Sequence, residues 1–238
     1  MASKNVDIQL KNVRLSFAHL FDVKANRNRE TNEIQSYSYE AVFLLDKEKQ
    51  KELIEQVRLA SRDVIAAMWP SDAPVIPADR RCLQDGEVLN PDTGEKKAKY
   101  EGYAGMVTVT ARRSKSIPAQ DRGKAHPDTS VFYPDPPQLL GPQRGPDGKF
   151  PRVKKGDGLL YSGCYVDAIV RIYCYNGAKD GNPHRVNASL EAVKFRAHGE
   201  AFGKGAPIDA DSMFEDSEVD DGFNTEAAKP KAADDDLL

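Results

Sequence analysis

The sequence predicts a mainly β protein: a small barrel carrying one principal helix, long loops and a polar tail. Three observations carry that reading. Five stretches alternate apolar and polar residues with a period of two, as half-buried strands do. A single stretch, about residues 46–68, repeats its apolar residues at spacings of three and four. The strands do not alternate with helices, as they must in a parallel α/β sheet.

Residues 6–17 form the first strand. Val6, Ile8 and Leu10 share one phase, and Val13, Leu15 and Phe17 share the other. Such a one-residue slip marks a β-bulge, placed near Lys11–Asn12. NRNRETNEI, residues 26–34, is polar and reads as a loop. Tyr37, Tyr39, Ala41, Phe43 and Leu45 then hold one register through the second strand, residues 35–45. In the helix Asp46 is a suitable N-cap, Leu53, Val57, Ala60, Val64 and Met68 make the apolar stripe, and Pro70 closes it. Pro70, Pro74 and Pro77 predict an extended, irregular segment, and NPDTG at Asn90–Gly94 a turn between short strands.

Tyr103 to Arg113 reads as another strand, with Tyr103, Gly105, Val107, Val109 and Ala111 on one face. From Ser114 to Gly158 prolines, glycines and cations leave no periodicity, so a long functional loop is expected. YSGCYVDAIVRIYCYN, Tyr161 to Asn176, alternates again, and Arg185 to Arg196 is the last strand, with GNP at Gly181–Pro183 between the two. Beyond Pro207 the chain loses its hydrophobes; such a composition cannot offset the entropy of ordering and is expected to be disordered. The expected organisation is one barrel domain over residues 1–208 and an acidic tail over 209–238.

Charge divides the same way. Residues 209–238 hold eleven acidic residues against Lys229 and Lys231, a net of −9, while residues 1–208 carry +6. A basic body beside an acidic end points to a polyanion partner that the tail imitates. No apolar run approaches the roughly 20 residues of a membrane span, and MASKNVDIQL has no signal-peptide core. A cytosolic protein without a membrane partner is expected. Three widely spaced cysteines are no disulfide framework, and Cys164 and Cys174 read as small buried hydrophobes.

The Tyr161–Asn176 strand carries the functional signal. Its even positions, Cys164, Val166, Ala168, Val170, Ile172 and Cys174, suit the inside of a tight barrel. Its odd positions include Tyr161, Tyr165, Arg171, Tyr173 and Tyr175. Rings at alternate residues make a sequence-tolerant platform on which unpaired bases stack, at roughly 1–3 kcal/mol per base. Phosphates would be met by Arg112, Arg113 and Lys115 at the end of the Tyr103 strand, and by Lys149, Arg152, Lys154 and Lys155 beside Phe150 in the loop. Among small barrels, the OB-fold type binds oligonucleotides on an open face. The expected fold is therefore an elaborated OB-fold barrel. The expected DNA-binding residues are Tyr103, Arg112, Arg113, Lys115, Lys149, Phe150, Arg152, Lys154, Lys155, Tyr161, Tyr165, Arg171, Tyr173 and Tyr175. The same face would also suit RNA, strand annealing, or a protein contact in a structural or adaptor role.

No catalytic or metal motif competes with this. GEAFGKG at Gly199–Gly205 has three residues between its glycines where a phosphate loop needs four, and Gly205 stands where Ser or Thr should hold magnesium. Asp209–Asp221 lacks a calcium-loop pattern. His19, His126, His184 and His198 are scattered without zinc-ligand spacing. No metal, cofactor or enzymatic activity is expected.

The chain resembles a bacteriophage family of OB-fold single-stranded-DNA-binding proteins, over about Val6 to Phe214. The resemblance rests on VRLSFAHLF at Val13–Phe21, EGYAGMVTVTARRSKSIP at Glu101–Pro118, YSGCYVDAIVRIYCYN, NASLEAVKF at Asn187–Phe195 and GEAFG at Gly199–Gly203. It implies a coating protein for exposed DNA in phage replication, recombination or repair, acting in the cytoplasm of the infected bacterial host. The end of the chain, Asp234, Asp235, Asp236, Leu237 and Leu238, is similar to the acidic, apolar-tipped tails with which replication single-strand binders recruit partner proteins. It lacks the apolar–Pro–Phe tip of the bacterial pattern.

Overall fold

The computed structural model describes residues 4–28, 30–89, 93–125 and 128–203. Asp234 to Leu238, and the rest of the expected tail, lie outside these residues, as does most of the NPDTG turn. The elements run β1 (Val6–Arg27), β2 (Ile34–Asp46), α1 (Lys51–Met68), β3 (Leu83–Asp85), β4 (Glu87–Leu89), β5 (Lys96–Ala98), β6 (Met106–Ser116), β7 (Gln138–Leu140), β8 (Tyr165–Tyr175) and β9 (Arg185–Ala197). Seven strands form one sheet in the order β3-β6-β2-β1-β8-β9-β7, and β4 and β5 make a separate hairpin. All pairs are antiparallel except β7 with β9.

The sheet curls because β1 serves two neighbours. Its first half, Val6 to Arg14, pairs with β8, and its second half, from Arg14 on, pairs with β2. Cys82 stitches the curled sheet together: its N–H donates to the Val186 carbonyl on β9 at 2.8 Å, and its carbonyl accepts the Thr110 N–H of β6 at 2.9 Å. The result is the mainly β, OB-like barrel with one α-helix that the sequence predicts. No helix among the described residues is long and apolar enough to cross a membrane.

The core follows from alternation. Cys164 and the even positions of β8, Val166 to Cys174, are all buried, against Ala41, Phe43 and Leu45 of β2 and Val107, Val109 and Ala111 of β6. α1 packs Ile54, Val57, Ala60 and Val64 onto this core, with Leu53 and Met68 half-buried at its margin. All three cysteines are buried and unpaired, and burial pushes their thiols up, Cys82 to about 12 and Cys164 and Cys174 to about 11. They act as small hydrophobes.

The slip in β1 is a bulge. Register against β8 shifts between Leu10 and Val13, Asn12 adopts φ 51°, and its N–H donates to Asp167 Oδ1 at 3.0 Å. Three expectations need correction. Asp46 is not the helix N-cap: its carboxylate accepts the N–H groups of Glu48 and Lys49 in the preceding turn, and α1 starts at Lys51. The strand expected from Tyr103 starts at Met106, because Gly105 at φ 69° breaks it, and it runs on to Ser116. The long loop that follows contains the short parallel strand β7, too brief to register as a period.

Candidate nucleic-acid interface

The odd face of β8 points out of the barrel, but it is not an open row of rings. Tyr165 and Tyr173 are eight residues apart, roughly 26 Å along a strand, and the structure does not bring them together. Charge is neutralised between them. Asp7 stands opposite Arg171 in the register and takes its guanidinium in two hydrogen bonds of 2.7 and 3.1 Å. That contact holds the Asp7 carboxyl below its usual value and raises the guanidinium. Asp167 is nearly buried, which opposes its ionisation. The Asn12 N–H, Lys194 at 3.0 Å and Arg196 at 3.2 Å outweigh that and hold its carboxyl low.

The rings at the two ends lean on their own chain. The Tyr161 hydroxyl donates to the Gly199 carbonyl at 2.9 Å and accepts the Gly199 N–H at 3.1 Å, while the ring stacks on His198 at 5.9 Å. Gly199 presses on Tyr165 so closely that a Cβ there would fall 3.0 Å from the ring and 2.4 Å from the Gly163 carbonyl. Burial pushes the Tyr173 phenol up, against a hydrogen bond with Asn187. Tyr175 is half-buried.

The expected cations divide into engaged and unengaged. Arg112 donates twice to Glu40 Oε2, at 3.2 and 2.9 Å, and Arg113 to Glu191 at 3.1 Å. Lys115 donates to the Val131 carbonyl at 2.7 Å, and Lys155 pairs with Asp22 at 2.6 Å. Lys149, Arg152 and Lys154 are exposed and make no ion pair among the described residues. Phe150 is covered by cations, with Arg144 at 4.5 Å and Lys194 at 5.0 Å from its ring centre.

Tyr103 is the clearest correction. Its ring is buried in a second apolar cluster with Val42 and Leu44 on the outer side of β2, and its hydroxyl bonds Ser16 Oγ at 3.2 Å. It cannot present an open face. What it does is support two rings that sequence reasoning missed. Tyr100 and Phe17 meet edge to face at 5.0 Å, and Tyr103 lies 5.2 Å from Tyr100 and 6.5 Å from Phe17. Phe17 is 42% exposed and Tyr100 57%. They line a groove of about 290 Å³ over the outer faces of β1, β2 and β6, with His19, Lys24, Glu40, Lys99, Thr108 and Thr110 around it, the Glu40 carboxylate lying 3.5 Å from the Lys24 ammonium.

Local backbone explains why Phe17 stands there. Alternation from Val13 and Leu15 predicts an inward ring, but β1 breaks register a second time, between Ser16 and His19, and Phe17 adopts φ 47°. A bulky residue in the left-handed region is an outlier costing about 1–3 kcal/mol, and such strain gathers at functional positions. Tyr100 lies outside any periodic segment. The signal that could have found it is KKAKYEGY, Lys96 to Tyr103, where cations and aromatics interleave. The floor of the groove is pinned by the segment after β9. Phe202 lies under the Arg14 guanidinium at 4.2 Å and so close to Gly102 that a Cβ there would overlap its ring at 2.3 Å. Arg14 in turn donates to the carbonyls of Glu200 at 2.7 Å and Gly163 at 3.2 Å.

The groove offers stacking surfaces, the ammonium groups of Lys24 and Lys99 with one carboxylate, Glu40, among them, and the Thr110 hydroxyl. Among the described residues no group of three or more His, Cys, Asp or Glu is placed to hold a metal ion. A putative protein, p50, of Acyrthosiphon pisum secondary endosymbiont phage 1 is 30% identical over 224 residues, covering 89% of this chain and 97% of that one. The fold is similar to that of the single-stranded DNA-binding protein from bacteriophage Enc34 in complex with ssDNA, with a TM-score of 0.57 at 19% identity over 83% of this chain and 89% of that one. A second structure of the single-stranded DNA-binding protein from bacteriophage Enc34 gives 0.55 at 18% identity, over 87% of this chain and 89% of that one. The family model described as Enterobacter phage Enc34, ssDNA-binding protein, matches residues 6–224, and the chain belongs to that family.

Proposed function

We propose that this protein binds single-stranded DNA without strong sequence preference and catalyses nothing. It would coat exposed strands in phage replication, recombination or repair, in the cytoplasm of the infected host. The observation that carries this reading is the pair of exposed rings, Phe17 and Tyr100, held in place by a buried third, Tyr103, over the groove. Bases stack on such rings whatever their identity, which suits a coating protein. Lys99 at the groove, Lys24 once it leaves Glu40 at 3.5 Å, and Lys149, Arg152 and Lys154 beyond it, are the groups for phosphates.

The tail completes the mechanism. Its charge of −9 lets it compete with DNA for the basic surface, at an effective concentration on the order of millimolar for short flexible linkers. The last described residues, up to Gly203, dock beside the groove: the Gly203 N–H donates to Glu101 at 3.1 Å. Strand binding displaces the tail and presents Asp234 to Leu238 to replication or recombination proteins.

One titration tests both parts. Labelled dT oligomer and labelled duplex are compared by fluorescence anisotropy at several salt concentrations, for the whole chain and for a chain ending at Ile208. The expected result is preference for dT, with log affinity falling by about 0.7 per phosphate contact as log salt rises, and tighter binding at low salt without the tail. Equal affinity for duplex, or no salt dependence, would sink the DNA reading. Identical curves with and without the tail would remove the competition.

A further inference from the structure

We infer that the cleft between α1 and the edge strand β3 is a second track for the same strand, holding the phosphates of nucleotides that leave the aromatic groove. The inference rests on the single-stranded DNA reading above. The cleft holds about 590 Å³, against about 290 Å³ for the groove, and Gln84 of β3 lines both. A strand lying in the groove therefore has a continuous path over one side chain into the cleft.

The walls have the character that path needs. Lys47, Lys51, Arg58, Arg62 and Arg81 line it against a single carboxylate, Asp85. Lys51, Ile54, Arg58, Ser61 and Ile65 recur at spacings of three and four, so they share the face of α1 turned toward β3. Arg58 and Arg62 lie one turn apart, about 6 Å along the axis, and Lys51 about 10 Å before Arg58. A row of cations along an axis suits a polymer carrying one charge per nucleotide.

Not every cation is available. Lys47 is held by Asp85 at 2.8 Å and Glu87 at 2.6 Å, which raises its ammonium, and it serves to fix β3. Lys51 makes no ion pair among the described residues. Arg58 and Arg62 reach Glu55 only at 3.6 and 3.9 Å, with their side chains 54% and 72% exposed. Exposed pairs of this kind contribute little and are easily exchanged for a phosphate. The apolar Ile65 and Leu83 between the cations give sugars a surface to lie on.

The test uses the full chain with Arg58→Gln and Arg62→Gln together, exposed helix positions where Gln keeps helix propensity. Two dT probes are titrated, of about 5 and about 16 nucleotides, the span of reported OB-fold site sizes. The long probe should bind about tenfold more weakly at low salt, with its salt slope reduced by about 1.4, two contacts at 0.7 each. The short probe, filling the groove alone, should be unchanged. Equal weakening of both probes would overturn the second track. So would unchanged or tighter binding of the long probe, the signature of a cleft that holds the acidic tail instead. If the unsubstituted chain bound neither probe, the underlying DNA reading would fail, a result distinct from either.

Discussion

Two outward sheet faces invite comparison. The odd side of β8 and the outer side of β1, β2 and β6 both carry aromatic rings and cations. On β8 the cations meet carboxylates across neighbouring strands, Arg171 with Asp7 and Lys194 and Arg196 with Asp167, and Tyr161 and Tyr165 close against the chain at Gly199. In the groove Lys24 also meets a carboxylate, Glu40 at 3.5 Å, but two rings stay open because a third is buried beneath them. Alternation tells which side of a strand faces out. It does not tell whether that side is vacant, because vacancy depends on what the adjacent strand and the next loop supply.

The largest expected effect breaks or secures this contrast directly. Phe17→Ala with Tyr100→Ala removes two stacking surfaces, each worth roughly 1–3 kcal/mol per base. Affinity for dT should fall at least about thirtyfold. Tyr173→Ala with Tyr175→Ala should change it less than about threefold. Thermal melting should confirm that both double variants fold. If the second pair hurt binding more than the first, the roles of the two faces would be reversed.

The contrast also shows what was legible. The inward side of β8, the bulge at Asn12 and the stripe of α1 could be read from the sequence because each is a local period of two or 3.6. Three features could not. Phe17 turns outward through a left-handed backbone that a phenylalanine does not announce. Tyr103 is buried because Ser16 and Val42, distant in sequence, close over it. Arg171 looks like an open cation until Asp7, 164 residues away, is placed opposite. Pairing across strands is a property of topology, and the sequence carries it only once register is known.

A smaller effect, on stability, concerns Asp167. Asp167→Asn keeps the shape but removes the charge facing Lys194 and Arg196, and should cost about 2 kcal/mol by urea unfolding at pH 7. Its carboxyl is depressed in the folded state, so this contribution is present above the unfolded value near 4 and is lost as pH falls through the lower folded value. The gap between wild type and variant should therefore close on acidification. Affinity for dT should stay within about twofold, since the residue works for the barrel and not for the groove.

The smallest effect is the most discriminating for β8. Arg171 is paired with Asp7 in an exposed setting, where such pairs contribute at most about 1 kcal/mol. A guanidinium already bonded twice to a carboxylate must give up those bonds before it can meet a phosphate, and Glu191 adds further negative potential nearby. Arg171→Ala should therefore leave the salt slope of dT binding unchanged. Lys149→Ala with Arg152→Ala, whose cations have no carboxylate partner among the described residues, should lower it by about 1.4. A drop of about 0.7 for Arg171→Ala would mean that DNA displaces Asp7, and that the outer side of β8 opens when the strand arrives.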